Sequence, residues 1–299
     1  MARRKSSSDS DGIIFKTGLF ALLAGIAFWA FNQFGGNKAA PTMDVSDDTE
    51  QPAAKPSPTV PDNILPSSTT GEIVRHTYYT LSYSEDHEQA EWVAYELTRE
   101  HLNKNWVDRA TSFFPDPLVR TESATPRDYS GSGYDRGHLV PAADMAFDTL
   151  AMNETFYLSN ISPQERAFNG GVWRELEENV RDWARTFEHL YVVTGPVLSR
   201  AGKGRIGYSK VTVPDAYYKV LLAPEQHRAI AFVLPNTESD KPLMEYATTI
   251  DQIEQVTRID FFPKMLQGLD EELEASLDKS AWPINSKRYE KRLREWNQR

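Results

Sequence analysis

The first hydrophobic signal along the chain is a window at 17–37 that holds no charge, set between Lys16 and Lys38. Leu19, Phe20, Leu22, Leu23, Ile26, Phe28, Trp29 and Phe31 make it apolar, and as a helix it would span roughly 30 Å, the thickness of a bilayer core. Arg3, Arg4 and Lys5 precede it, so the positive-inside rule puts residues 1–16 in the cytoplasm. No small-x-small cleavage site comes after the run, which favours an uncleaved single-pass anchor. Residues 38–70 then carry Pro41, Pro52, Pro56, Pro58, Pro61 and Pro66 among Asp44, Asp47, Asp48 and Glu50, a composition that predicts an extended, disordered tether. The chain beyond the tether would lie outside the cytoplasm, in a periplasm or at a cell surface. The mitochondrial intermembrane space is the alternative, although Asp9 and Asp11 are unlike a presequence.

From 71 to 285 the pattern becomes globular. Residues 73–83 alternate and are rich in β-formers, which predicts one or two strands. Residues 91–102 (Trp92, Val93, Ala94, Tyr95, Leu97) fit a helix or a strand, because short apolar runs do not separate the two. Residues 113–125, with Pro115 and Pro117, read as loop, and 145–155 as helix. Trp173, Leu176, Val180, Trp183 and Ala184 fall on one side of an amphipathic helix, on which Glu177 and Arg181 are an i, i+4 pair. Strands are predicted at 190–197, at 211–222 with a turn within it, and at 229–234, and a helix at 250–257. Residues 286–299 read as an exposed charged tail or helix. Strands and helices mix without regular βαβ alternation, which points to α+β.

Composition adds two constraints. The chain has 299 residues, a formal charge of -10 and no cysteine. The acidic balance excludes a passive nucleic-acid coat, which would be basic, while leaving room for a local basic groove. The lack of cysteine excludes disulfides, thiolate metal sites and a cysteine nucleophile.

The densest chemistry lies at 128–145. Asp135-Arg136-Gly137-His138 puts a carboxylate, a guanidinium and an imidazole in four residues, after Gly131 and Gly133 and before Pro141-Ala142-Ala143-Asp144. A glycine-rich turn would deliver a short strand carrying His138, whose ordinary pKa near 6.5 suits proton transfer at neutral pH. Gly137 would let a substrate come close. Further on come Ser159-Asn160, Pro163-Gln164, Asn169, Trp173, Leu176 and Glu177.

Together these two motifs resemble the DNA/RNA non-specific endonuclease family, the ββα-metal nucleases of the endonuclease G type. Its signature is Asp-Arg-Gly-His, then Pro-Ala-Ala-Asp, then Ser-Asn-x-x-Pro-Gln, Asn and Trp-x-x-Leu-Glu. The resemblance covers about residues 72–283. It implies a mainly antiparallel central sheet flanked by helices, with 91–102 a strand and the site on a ββα finger. It also implies metal-dependent hydrolysis of phosphodiesters in DNA and RNA with little sequence preference. A homodimer and an inhibitor protein are the further partners it raises.

On this resemblance His138 is the general base. Asn169 is the direct ligand of a largely hydrated Mg²⁺, with Mn²⁺ as a substitute, since an amide oxygen suits a cation that keeps its waters. Glu177 would hold metal-bound water, Arg136 and Arg181 phosphoryl charge, and Asn160 the base or the phosphate. Asp135 would brace the loop. Arg120, Arg127, Lys203 and Arg205 are candidates for substrate phosphates, each equally readable as a solvated surface cation. His76, His87, His101, His189 and His227 show no ligand spacing and read as structural. Two other readings stay open: a phosphodiesterase acting on nucleotides or other small phosphodiesters, and a catalytically silent nucleic-acid-binding relative.

Overall fold

A computed structural model describes residues 60–67, 71–198, 202–265 and 271–297. The expected anchor at 17–37 and most of the tether lie outside the described residues, among which no helix is long and apolar enough to cross a membrane.

Alternating and aromatic-rich runs become strands. The sheet-forming ones are β1 (Glu72–Arg75), β2 (Tyr79–Ser84), β3 (Gln89–Thr98), β6 (His189–Pro196), β9 (Ala216–Ala223), β10 (Arg228–Pro235) and β11 (Ala247–Thr248). They hydrogen-bond in the order β1-β2-β3-β6-β9-β10-β11, and every neighbouring pair is antiparallel. Two small pairs stand apart: β4 (Asp135–His138) with β5 (Ile161–Gln164), and β7 (Arg205–Ile206) with β8 (Val211–Thr212). The fold is α+β, and 91–102 is strand for most of its length, closing in the one-turn α1 (Arg99–Asn103) capped by the Thr98 hydroxyl.

The sheet is buried on both faces, and the period of two sorts its side chains. On β3, Val93, Tyr95 and Leu97 join one core, whereas Trp92 and Ala94 join the other. The first core is covered by α3 (Arg174–Phe187), whose Leu176, Val180, Trp183, Ala184 and Phe187 are buried. Trp183 stacks on Phe232 at 5.9 Å. The second core takes Ile250 and Ile253 of α4 (Ile250–Thr257) with Phe261 and Phe262. Burial of such aliphatic and aromatic side chains is worth roughly 1.5–3 kcal/mol each.

Three local expectations need correction. Residues 60–67, expected to be part of the tether, are packed on the domain: Val60 and Ile64 are buried in the second core, and Trp92 Nε1 donates to the Ser67 carbonyl. The helix expected over 145–155 begins only at α2 (Thr149–Glu154), where the Asp148 carboxylate accepts from the Leu150 and Ala151 amides. The charged C-terminal stretch forms α5 (Ser286–Lys291) and a π turn, Arg292–Trp296, but it is not surface tail. Arg292 is 0% exposed and donates to Glu175 at 2.6 Å, and Trp296 is buried.

Candidate active site

The β4–β5 pair brings the first motif together. Its register sets Asp135 opposite Gln164, Gly137 opposite Ser162 and His138 opposite Ile161. Gly131 and Gly133 take φ of 70° and 84°, the left-handed conformations that glycine tolerates, and so turn the chain into β4. Gly137 answers a different need from the one expected. A Cβ there would lie 2.1 Å from the Gln164 side chain, so the glycine accommodates its strand partner rather than a substrate.

His138 sits in an aromatic box. Its ring centroid is 4.9 Å from Phe156, edge-on, and 5.5 Å from Phe113. Nε2 is enclosed and has no hydrogen-bond partner among the described residues. Burial, with the nearby Arg109 charge in second place, lowers the pKa from the usual value to about 3. The imidazole is therefore neutral at physiological pH, the form that accepts a proton.

Asn160 secures the strand end behind it. Its Oδ1 accepts from Val140 N at 2.9 Å, and its Nδ2 donates to the carbonyls of Val140 and Thr155. Leu139 N donates to its backbone carbonyl at 3.0 Å. This fully buried amide is committed to the backbone next to His138, which suits the first of the two roles expected for it, orienting the base, better than the second, orienting the phosphate.

Asn169 begins a π turn, Asn169–Trp173, that leads into α3. Its Nδ2 donates to Asp135 Oδ2 at 3.1 Å, while Arg166 reaches Asp135 Oδ1 at 3.4 Å. Asp135 thus braces the loop and ties Asn169 to the His138 strand. The Asn169 Oδ1 accepts no hydrogen bond from any described residue.

One turn further on, α3 presents Glu177 and Arg181. They do not form the helical pair expected from their spacing: Arg181 donates instead to Asp144 Oδ1 at 2.9 Å, and Tyr95 donates to Asp144 Oδ2 at 2.8 Å. Asp144 is buried and Arg181 nearly so, so the charge of Arg181 is already balanced before any phosphate arrives. Glu177 lies in the same pocket, its pKa raised to about 7 by burial, with the Lys219 and Arg181 charges opposing that rise.

Lys219 carries the other half of this balance. It points from β9 towards α3, is 0% exposed, and has no hydrogen-bond partner among the described residues for its Nζ, which lies 4.8 Å from the Trp173 ring centroid. Burial lowers its pKa and the Glu177 charge raises it again. The Asn169 amide oxygen, unengaged by any described residue, and the Glu177 carboxylate are oxygen donors of the type that divalent cations take.

The structure also brings in Arg109. It is exposed, lies 5.0 Å from the Phe156 ring centroid, and its charge acts on both His138 and Glu177. Arg136 donates to the Pro126 carbonyl at 2.9 Å and stands 5.5 Å from the Phe113 ring. Three of the four phosphate candidates, Arg120, Lys203 and Arg205, hydrogen-bond elsewhere. Arg120 bonds Glu72, and Arg127 lines a groove with Glu88, Glu122 and Asp128. Lys203 bonds Glu165 and the Asn236 carbonyl, and Arg205 donates to the Lys210 carbonyl at 3.4 Å.

Arg109 and Lys219 had no place in the sequence reading. Arg109 lies in a polar stretch without periodicity. Lys219 did carry a signal, as a lone charge in the apolar strand Tyr217-Tyr218-Lys219-Val220-Leu221.

The model of the DNA/RNA non-specific endonucleases matches residues 57–267. The chain belongs to this family. It is 37% identical over 211 residues to the mitochondrial nuclease EXOG of Xenopus laevis, covering 65% of this chain and 59% of that protein. Bovine mitochondrial endonuclease G is 36% identical over 203 residues, 63% of this chain and 68% of that one. Nuclease C1 of Cunninghamella echinulata var. echinulata is 36% identical over 214 residues, 66% and 85%. Among solved structures, the complex of EndoG with EndoGI matches with a TM-score of 0.61 and 32% identity, over 66% of this chain and 87% of that one. The chain thus spans less than two thirds of the length of the Xenopus relative.

Proposed function

We propose that this protein is a metal-dependent endonuclease that hydrolyses phosphodiester bonds of DNA and RNA with little sequence preference. The observation that carries the reading is a neutral imidazole on the strand to which Asp135 ties Asn169, beside an exposed guanidinium, Arg109, whose charge acts on both His138 and Glu177. His138 accepts the proton of the attacking water. Arg109, free of any ion pair among the described residues, and Arg136 hold phosphoryl charge, while Arg181, already bound to Asp144, adds positive charge near Glu177. A Mg²⁺ ion held through Asn169, with water bridging to Glu177, would supply positive charge for the leaving oxygen. Contacts of this kind address backbone and not bases, so sequence preference is weak.

We also read residues 17–37 as a membrane anchor that sets the catalytic domain outside the cytoplasm, on the strength of the uncharged window and the basic cluster before it. A mitochondrial site is the alternative, in keeping with the mitochondrial relatives. An inhibitor protein and a homodimer are the partners to seek; the first is motivated by the EndoG complex.

The test is cleavage of supercoiled plasmid, single-stranded RNA and bis-p-nitrophenyl phosphate by the full chain, with Mg²⁺ and with EDTA. Metal-dependent cutting of both polymers is expected. Turnover of the small diester with neither polymer cut would replace the reading with that of a small-phosphodiester hydrolase. Binding without any turnover would make the protein a silent relative.

A further inference from the structure

Phe113 and Phe114 are neighbours that face opposite ways, as adjacent residues of an extended segment do. Phe113 turns to His138 and Arg136. Phe114 turns outward and is 54% exposed. Its backbone is nevertheless fixed: Phe114 N donates to the Phe156 carbonyl at 3.1 Å, and its own carbonyl accepts from Leu158 N at 2.8 Å, a parallel bridge beside Tyr157. Pro115 comes directly after it and Pro117 two residues later, which stiffens the segment further. An exposed aromatic ring on a fixed backbone is a surface ready to be covered.

Phe114 forms one wall of an open groove of about 530 Å³, with Pro115, Phe156, Tyr157, Ala110 and Asn153 among the other residues that line it. No lining residue carries a charge. Phe156 is the partition between groove and active site, since the same ring touches His138 at 4.9 Å and lies 5.0 Å from the Arg109 guanidinium. A cation for a phosphate and an apolar slot for a flat ring therefore stand on either side of Phe156. Another groove, about 450 Å³, is lined by three carboxylates, Glu88, Glu122 and Asp128, against one cation, Arg127, and is the less suited of the two to a polyanion.

We propose that the Phe114 groove is a nucleobase subsite, which takes an unstacked base of a single-stranded or locally melted strand beside the scissile phosphate. This rests on the nuclease reading above. Stacking on an aromatic ring tolerates any base, so the subsite would favour unpaired strand without reading sequence. The Asn153 amide can meet a base edge as donor or acceptor, and a closed duplex cannot enter because its bases are stacked.

The experiment compares the full chain with Phe114→Ala, Phe114→Leu and Phe114→Tyr on a single-stranded oligonucleotide and its matched duplex. Cleavage gives KM, and fluorescence anisotropy with the His138→Ala background gives binding without turnover. Loss of the ring should raise KM and Kd for the single strand roughly five- to a hundredfold. The ratio of single-strand to duplex affinity should fall by at least about fivefold, Leu should behave like Ala, and Tyr should restore the wild-type values. Equal loss on both substrates, no loss in Ala, or rescue by Leu overturns the subsite. Absence of any cleavage by the wild-type chain would overturn the nuclease reading instead, and the binding arm would still decide the groove.

Discussion

Replacing Lys219 with methionine separates function from stability most sharply. Met keeps the length and fills the space against Trp173, but removes a charge that is fully buried and has no hydrogen-bond partner among the described residues. Replacing a whole buried ion pair by apolar volume is often neutral or stabilising, whereas removing one partner costs about 3–5 kcal/mol when the other stays charged. Glu177 can escape that cost by taking up a proton, so the domain should melt close to the wild-type temperature. Burial already raises the Glu177 pKa, and Lys219 is the largest opposing charge. At an effective dielectric of about 20, a charge 4–8 Å away is worth about 2–4 kcal/mol, or roughly 1.5–3 pKa units. Without Lys219 the carboxyl would stay mostly protonated at pH 7.5. Plasmid cleavage should fall on the order of tenfold or more, and recover in part as pH rises towards 9. The assay is a melting curve beside a cleavage pH profile. A variant that melts lower and cuts at the wild-type rate would refute the reasoning and leave Lys219 a packing residue.

Three other perturbations test particular contacts. The His138 pKa is lowered from 6.5 to about 3, so the unfolded chain binds the proton first and stability is lost as pH falls from 6.5 towards 3. Denaturant titrations should show that His138→Asn loses about 2 kcal/mol less than wild type between pH 7.5 and 5; an equal loss would contradict the buried, neutral imidazole. Arg109→Ala, at an exposed position, should leave the melting temperature within about 0.5 kcal/mol equivalents, raise KM for DNA and lessen its log–log salt dependence by about one unit; an unchanged salt slope would remove Arg109 from the phosphate path. Glu175→Ala strands the buried Arg292 and should destabilise by about 3–5 kcal/mol in urea unfolding, whereas a loss below about 1 kcal/mol would show the C-terminal turn to be dispensable.

β6, β9 and β10 were legible because they combine β-branched and aromatic residues over runs too short for helices, whereas the pattern of β3 fitted helix or strand and only the family resemblance made it a strand. The motif residues were legible as chemistry but not always as geometry. Asn160 was expected to orient the base or the phosphate, and its amide is spent on the backbone of Val140 and Thr155. Arg181 was assigned to Glu177 by helical spacing, and the tertiary fold supplied Asp144 instead. Arg109 was invisible because its place over Phe156 depends on a loop without periodicity. Residues 60–67 were hidden by proline content, which masks two buried aliphatics. The terminal turn was misread because Arg292 looks solvated until Glu175, more than a hundred residues away in sequence, is folded against it.

The decisive measurement is a Mg²⁺ titration of plasmid cleavage by the wild-type full chain, Asn169→Ala and His138→Ala. The wild type should need the metal and stop with EDTA. Asn169→Ala should demand far more Mg²⁺ for whatever rate remains. His138→Ala should lose at least about a hundredfold at saturating metal with its Mg²⁺ requirement unchanged. Cleavage that survives EDTA, or a His138→Ala chain that cuts at the wild-type rate, would contradict the account.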